Sequence, residues 1–185
     1  NNALVPMYHL SGELALDRDE HPRPGTTLES LRDLKPSFAA MGAAHVDGYP
    51  KPFDDMAKDK YPEIDGVIHV HHAGNSSGVV DGASAVLVTS PDYAKAHGLK
   101  PRARIRMTAT AGTEPLIMLT APGPAAQRAL DKAGMTKNDI DLWEINEAFA
   151  SVVLKFMKDI GVSHDVVNID GGAIPLGHPI GATAG

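Results

Sequence analysis

The side chains of this chain best suited to chemistry sit in three loop motifs. Gly177-His178-Pro179 presents an imidazole on a tight, rigid turn, and a histidine titrates close enough to neutrality to take a proton from a nucleophile. Asn146 opens Asn146–Ala150, NEAFA, where a strand pattern gives way to a helix pattern. An amide there can donate to a developing oxyanion, directly or through a held water, near the positive end of the helix. The third motif is the glycine-rich run His71–Ala85, whose Gly74, Gly78 and Gly82 allow close backbone approach. Each motif also has a plainer reading. His178 can be a turn histidine bonded to a carbonyl, and Asn146 can simply cap the helix. The glycine spacing matches neither of the common phosphate-binding fingerprints, although glycines at a helix N-terminus can cradle phosphate. His69 and His71 share a strand face and invite a metal, but no further ligand stands at zinc-site spacing. A solvated or core-edge strand is the favoured reading there.

The elements that must position these loops follow from periodicity. Leu28, Leu31 and Leu34 mark a short helix that Pro36 interrupts, after a first strand in Ala3–Leu10. His45–Asp65 is rich in Pro, Tyr, Asp and Lys and is expected to be a surface excursion, an ordinary long loop. Val67–His72, Ser84–Ser90, Ala103–Gly112 and Asp141–Asn146 read as strands, the second apolar throughout as if covered on both faces. Ser90-Pro91-Asp92 starts a helix that runs to about His97 and stops at Gly98. Pro124–Gly134 is a third helix, Thr136 and Asp139 form a capping box, and Glu147–Gly161 is a fourth helix with Lys155 and Lys158 on its wet face. Strand and helix alternate, so the expected class is α/β, in layers.

Composition narrows the function. Hydrophobic residues make up 43% and charged residues 22% of 185, as in a globular protein. A net charge of −6 argues against a nucleic-acid partner, and no apolar run approaches the length of a membrane span. Cysteine is absent, so no disulfide or thiolate–metal framework is available. The scattered methionines are ordinary core filling. The start at Asn1, without Met or a leader, and the stop at Gly185 inside a motif are expected of an excerpt from a longer protein.

Together AGNSSGVVDGASAVLV, NEAFA and NIDGGAIPLGHPIGATAG resemble the thiolase family across nearly the whole chain. The NEAF tetrad separates them from β-ketoacyl synthases, which share the fold, and from the sterol-carrier thiolases. The resemblance implies an incomplete layered α/β/α thiolase fold. Residues 1–79 would be part of the CoA-binding loop domain, 80–98 the last strand and helix of the N-terminal domain, and 99–185 most of the C-terminal domain. It implies an acyltransferase acting on coenzyme A thioesters, by 3-ketoacyl-CoA thiolysis or acetyl-CoA condensation, with fatty-acid β-oxidation as the degradative setting.

By the same resemblance, His178 activates a reactive cysteine and Asn146 holds a water in the oxyanion hole. Both cysteines of the family would lie outside residues 1–185, one on each side, so the isolated chain is expected to be inactive. Coenzyme A or acyl-CoA is implied as substrate, with no permanently bound cofactor and no metal. Arg23 and Ser30 would meet the CoA phosphate or adenine, and Phe38 the pantetheine arm. Ala73 and Ser77 would bond its amides, while Ala148 and Phe149 line the tunnel. Pro175 stands where the family has a small residue, which removes a backbone donor. The parent is expected to be a cytoplasmic homodimer or homotetramer. The alternatives are a non-catalytic CoA- or lipid-binding relative, or an inactive truncated product. A piece cut this way leaves sheet edges unpaired and is expected to fold poorly alone.

Overall fold

The structure is a computed structural model and describes residues 4–184. Its best-packed region is built on two helices. The first, Pro122–Ala133 (α5 in chain order), starts on a proline and ends at Gly134, whose φ of 65° favours a residue without Cβ. The second, Ala150–Ile160 (α6), buries Val152, Val153, Phe156 and Ile160, a stripe of spacing one, three and four. Phe156 is 2% exposed and meets Trp143 edge-on, at 5.3 Å between ring centroids. Leu130 of α5, Val153 and Val167 complete the cluster. Gly123 brings the helices close, because a Cβ there would lie 3.1 Å from the Asp159 side chain.

The remaining elements are short. Met7–Tyr8 (β1) and Leu14–Leu16 (β2) pair antiparallel around His9–Glu13. Leu28–Arg32 (α1) is capped by Thr27 and Ser30 acting reciprocally. Ala39–Ala43 (α2) and Phe53–Lys60 (α3) follow, then Pro91–Ala96 (α4), capped by the Ser90 hydroxyl as expected. Ala173–Leu176 (α7) closes the order. The Thr136–Asp139 capping box is present, on a single 3₁₀ turn over Lys137–Asp139. Its carboxylate accepts from the Thr136 amide and hydroxyl, which holds the Asp139 acid below its usual range.

Several expectations need correction. Val67–His72, Ser84–Ser90 and Ala103–Gly112 are not strands here: among the described residues they join no sheet. An apolar run becomes a strand only when a neighbour takes its amides and carbonyls, and the described residues supply none. Asp141–Asn146 keeps one parallel bridge, Trp143 to Val167. The excursion His45–Asp65 contains a real helix, α3, with Asp54 and Asp55 at its start and Lys58 and Lys60 at its end. Lys60 reaches Glu114 at 3.1 Å, tying α3 to a distant loop. Helix α6 begins at Ala150, three residues later than the pattern of Glu147 suggested, so Asn146 does not cap it. Nor does a helix follow the glycines 74–82, which rules out a phosphate cradle at a helix start there. Pro175 falls in the first turn of α7, where a missing N–H costs nothing.

Candidate active site

The three motifs converge, and the glycine-rich loop is the hub. Ser77 N–H donates to Ala148 O at 3.0 Å, and Ala150 N–H donates to Asn75 O at 2.9 Å, on either side of a Ser76–Phe149 bridge. One residue on, His178 N–H donates to Gly78 O at 2.9 Å. Thus the same few residues hold NEAFA on one side and the histidine turn on the other. Gly78 packs under His21, and Gly177, at φ 95°, packs against Val80; a Cβ at either would overlap that neighbour.

At the meeting point the Asn146 amide nitrogen lies 3.1 Å from His178 Nε2, across 32 residues of sequence. His178 is half-buried and Asn146 exposed, so both are open to an incoming group. The other ring nitrogen, Nδ1, is 2.7 Å from the Thr183 hydroxyl. A ring held at both nitrogens has little freedom to turn away.

Two residues not singled out in the sequence hold this arrangement together. Asn168 adopts φ 49°, a conformation asparagine tolerates, and its amide pairs with the Ile145 backbone as a strand residue would. It accepts from Ile145 N–H at 2.7 Å, and donates to Ile145 O and Glu147 Oε1, each at 2.9 Å. Glu147 also accepts from Ile174 N–H at 3.0 Å and covers Gly172, where a Cβ would overlap its carboxylate. The loop bearing Asn146 is thereby fastened to the loop that leads to His178. Glu147 is the second letter of NEAFA and Asn168 opens NIDGGAI, but the partner of neither can be read from its own motif.

The remaining candidates fall into two groups. Arg23, Ser30 and Ala73 line one cleft of about 360 Å³ with Thr26, Gly74 and Pro175. Arg23 makes no ion pair among the described residues, whereas the Ser30 hydroxyl is engaged in capping α1. Phe38 lies edge-on to Phe149 at 5.8 Å, with His71 against the same ring at 4.8 Å. Ala148 and Asn146 border a separate depression of about 540 Å³ beside Trp143 and Phe156. The two histidines of the metal reading go to different partners. His69 Nε2 is 3.0 Å from Asp54, and His71 Nε2 is 2.8 Å from the Ser151 hydroxyl.

Comparison with known proteins decides the family. Residues 99–185 match the model of the thiolase C-terminal domain. The chain belongs to the thiolase family. It is 42% identical over 179 residues to an acetyl-CoA acetyltransferase of Paracoccus denitrificans, covering 97% of this chain and 39% of that protein. Human mitochondrial 3-ketoacyl-CoA thiolase superposes with a TM-score of 0.74 at 38% identity, over 98% of this chain and 39% of that one. The human enzyme in complex with CoA gives 0.71 at 40% identity, over 91% and 36%. The chain thus spans well under half the length of its thiolase relatives, and its fold is an incomplete thiolase fold with mixed helix and sheet. No helix among the described residues is long and apolar enough to cross a membrane.

Proposed function

We propose that this chain is the asparagine- and histidine-bearing part of a longer acyltransferase that moves acyl groups between coenzyme A thioesters. In this reading residues 1–79 belong to the CoA-binding loop domain, 80–98 to the N-terminal domain and 99–185 to the C-terminal domain. The observation that carries it is the contact between the Asn146 amide and His178 Nε2. A cysteine thiol from the rest of the parent gives its proton to Nε2, and the thiolate adds to the substrate carbonyl. The oxygen, now anionic, takes hydrogen bonds from the protonated imidazole and from a water held by Asn146. In thiolysis the Cα–Cβ bond then breaks, the departing enolate takes up a proton, and coenzyme A thiol accepts the acyl group from the cysteine.

Support for the substrate comes from the cleft and the relatives. Arg23, which makes no ion pair among the described residues, is suited to phosphate, and a human relative has been solved with CoA. Ala73, Ser77, Ala148, Phe149 and Phe38 would line the path of the pantetheine arm, with Ser30 serving chiefly as a cap. The reading takes the parent to be a cytoplasmic homodimer or homotetramer working in fatty-acid β-oxidation. The test is thioester exchange by the full-length parent. His178→Ala should lower kcat by about 10²–10⁴-fold, and Asn146→Ala by roughly 10²–10³-fold. Unchanged turnover in His178→Ala, or CoA binding by the wild type with no turnover, would contradict acyl transfer.

A further inference from the structure

We propose that Thr183 is a positioning residue that sets the tautomer of His178, leaving Nε2 unprotonated and able to take up a proton. The inference rests on the acyl-transfer reading for its consequence, but not for its geometry. The Asn146 amide nitrogen is a donor only, and it faces Nε2 at 3.1 Å, so Nε2 is the acceptor. A neutral imidazole with a bare Nε2 carries its proton on Nδ1, and that proton points at the Thr183 oxygen 2.7 Å away. The Thr183 hydroxyl proton is directed elsewhere, to the Pro179 carbonyl at 3.0 Å. Donors therefore run in one direction: Asn146 to His178, His178 to Thr183, Thr183 to Pro179.

The fold places Thr183 for this role. Ala182 and Thr183 both donate backbone N–H groups to Pro179 O, at 2.8 and 3.0 Å, which curls the residues after the Gly-His-Pro turn back beneath the ring. The Ser84 hydroxyl donates to Ala182 O at 2.6 Å and pins that curl to the end of the glycine-rich run. In water a histidine favours the proton on Nε2, the form that cannot act as a base at that atom. Removing the Thr183 acceptor should let the ring revert.

The experiment is ¹⁵N NMR of the full-length parent labelled at the histidine ring nitrogens, with His178 assigned by its loss in His178→Gln. Wild type and Thr183→Ser should show a protonated Nδ1 and a bare Nε2 in neutral His178. Thr183→Val, equal in shape but without the hydroxyl, should move the proton to Nε2. The same variant should lower kcat by roughly tenfold to a hundredfold with KM little changed, short of the ~10⁴-fold loss when a buried carboxylate partner is replaced in a hydrolase triad. Thr183→Ser should restore the rate. A wild-type ring protonated on Nε2, or the same tautomer in Thr183→Val, overturns the assignment. The expected tautomers in a parent that cannot transfer acyl groups would sustain the role of Thr183 and defeat the proposed function instead.

Discussion

At the residue scale, the site depends on side chains that clamp loops as much as on those exposed to substrate. Glu147 shows this best. Its carboxylate takes N–H groups from Asn168 and Ile174, and its position depends on Gly172 having no Cβ. Gly172→Ala should push the carboxylate away and leave the Ile174 amide without its partner. We expect a loss of roughly 1–3 kcal/mol by urea denaturation of the parent; unchanged stability would mean the clamp is unimportant. His178 and Asn146 were legible in the sequence because they lie in short motifs that break the surrounding pattern. Glu147 and Asn168 were not, since their roles depend on partners more than twenty residues away, and spacing carries no record of such pairings. Thr183 lies five residues from His178, but its role depends on which proton goes where, which only the bonded geometry suggests.

At the element scale, α6 anchors the site, because the loop carrying Asn146 leads straight into it. Phe156 fills the space between α6 and Trp143. Phe156→Ala should cost about 3–5 kcal/mol in the parent, read by thermal or urea unfolding, and a loss under 1 kcal/mol would contradict its place in the core. Helix α3 gives a pH signature. The Leu116 amide and Lys60 hold the Glu114 acid below its ordinary value of 4.5. A carboxyl with a depressed folded pKa adds stability above its unfolded pKa and loses it as pH falls through the folded value. Wild type should therefore exceed Glu114→Gln in melting temperature at pH 6, and the gap should close below pH 4.5. A gap independent of pH would contradict the linkage.

The helices were legible because caps and stop signals are local. Ser90, Gly98, Gly134 and Gly161 all act where the sequence placed them. Helix α3 escaped notice because half-buried Phe53, Met56 and Ala57 are its only apolar stripe amid charged residues. The strands failed for the opposite reason. Val86, Leu87 and Val88 have the composition of a buried strand, but pairing is a property of neighbours.

At the scale of the whole molecule, the chain spans about 39% of its Paracoccus relative, and its surface reflects that. Leu87 is 74% exposed, Ile105 67% and Ile68 85%, all within the unpaired runs. Such segments present open amides and apolar faces together, the combination that drives association. The isolated chain should self-associate in sedimentation velocity and bind a hydrophobic dye strongly. A monodisperse monomer with a cooperative melt would contradict this.

The central claim is that Asn146 and His178 act as one device, and a double-mutant cycle on kcat/KM in the full-length parent tests it most directly. The contact predicts non-additivity, with Asn146→Ala, His178→Ala costing little more than His178→Ala alone. Losses that multiply in the double variant would show two residues acting independently and contradict the account.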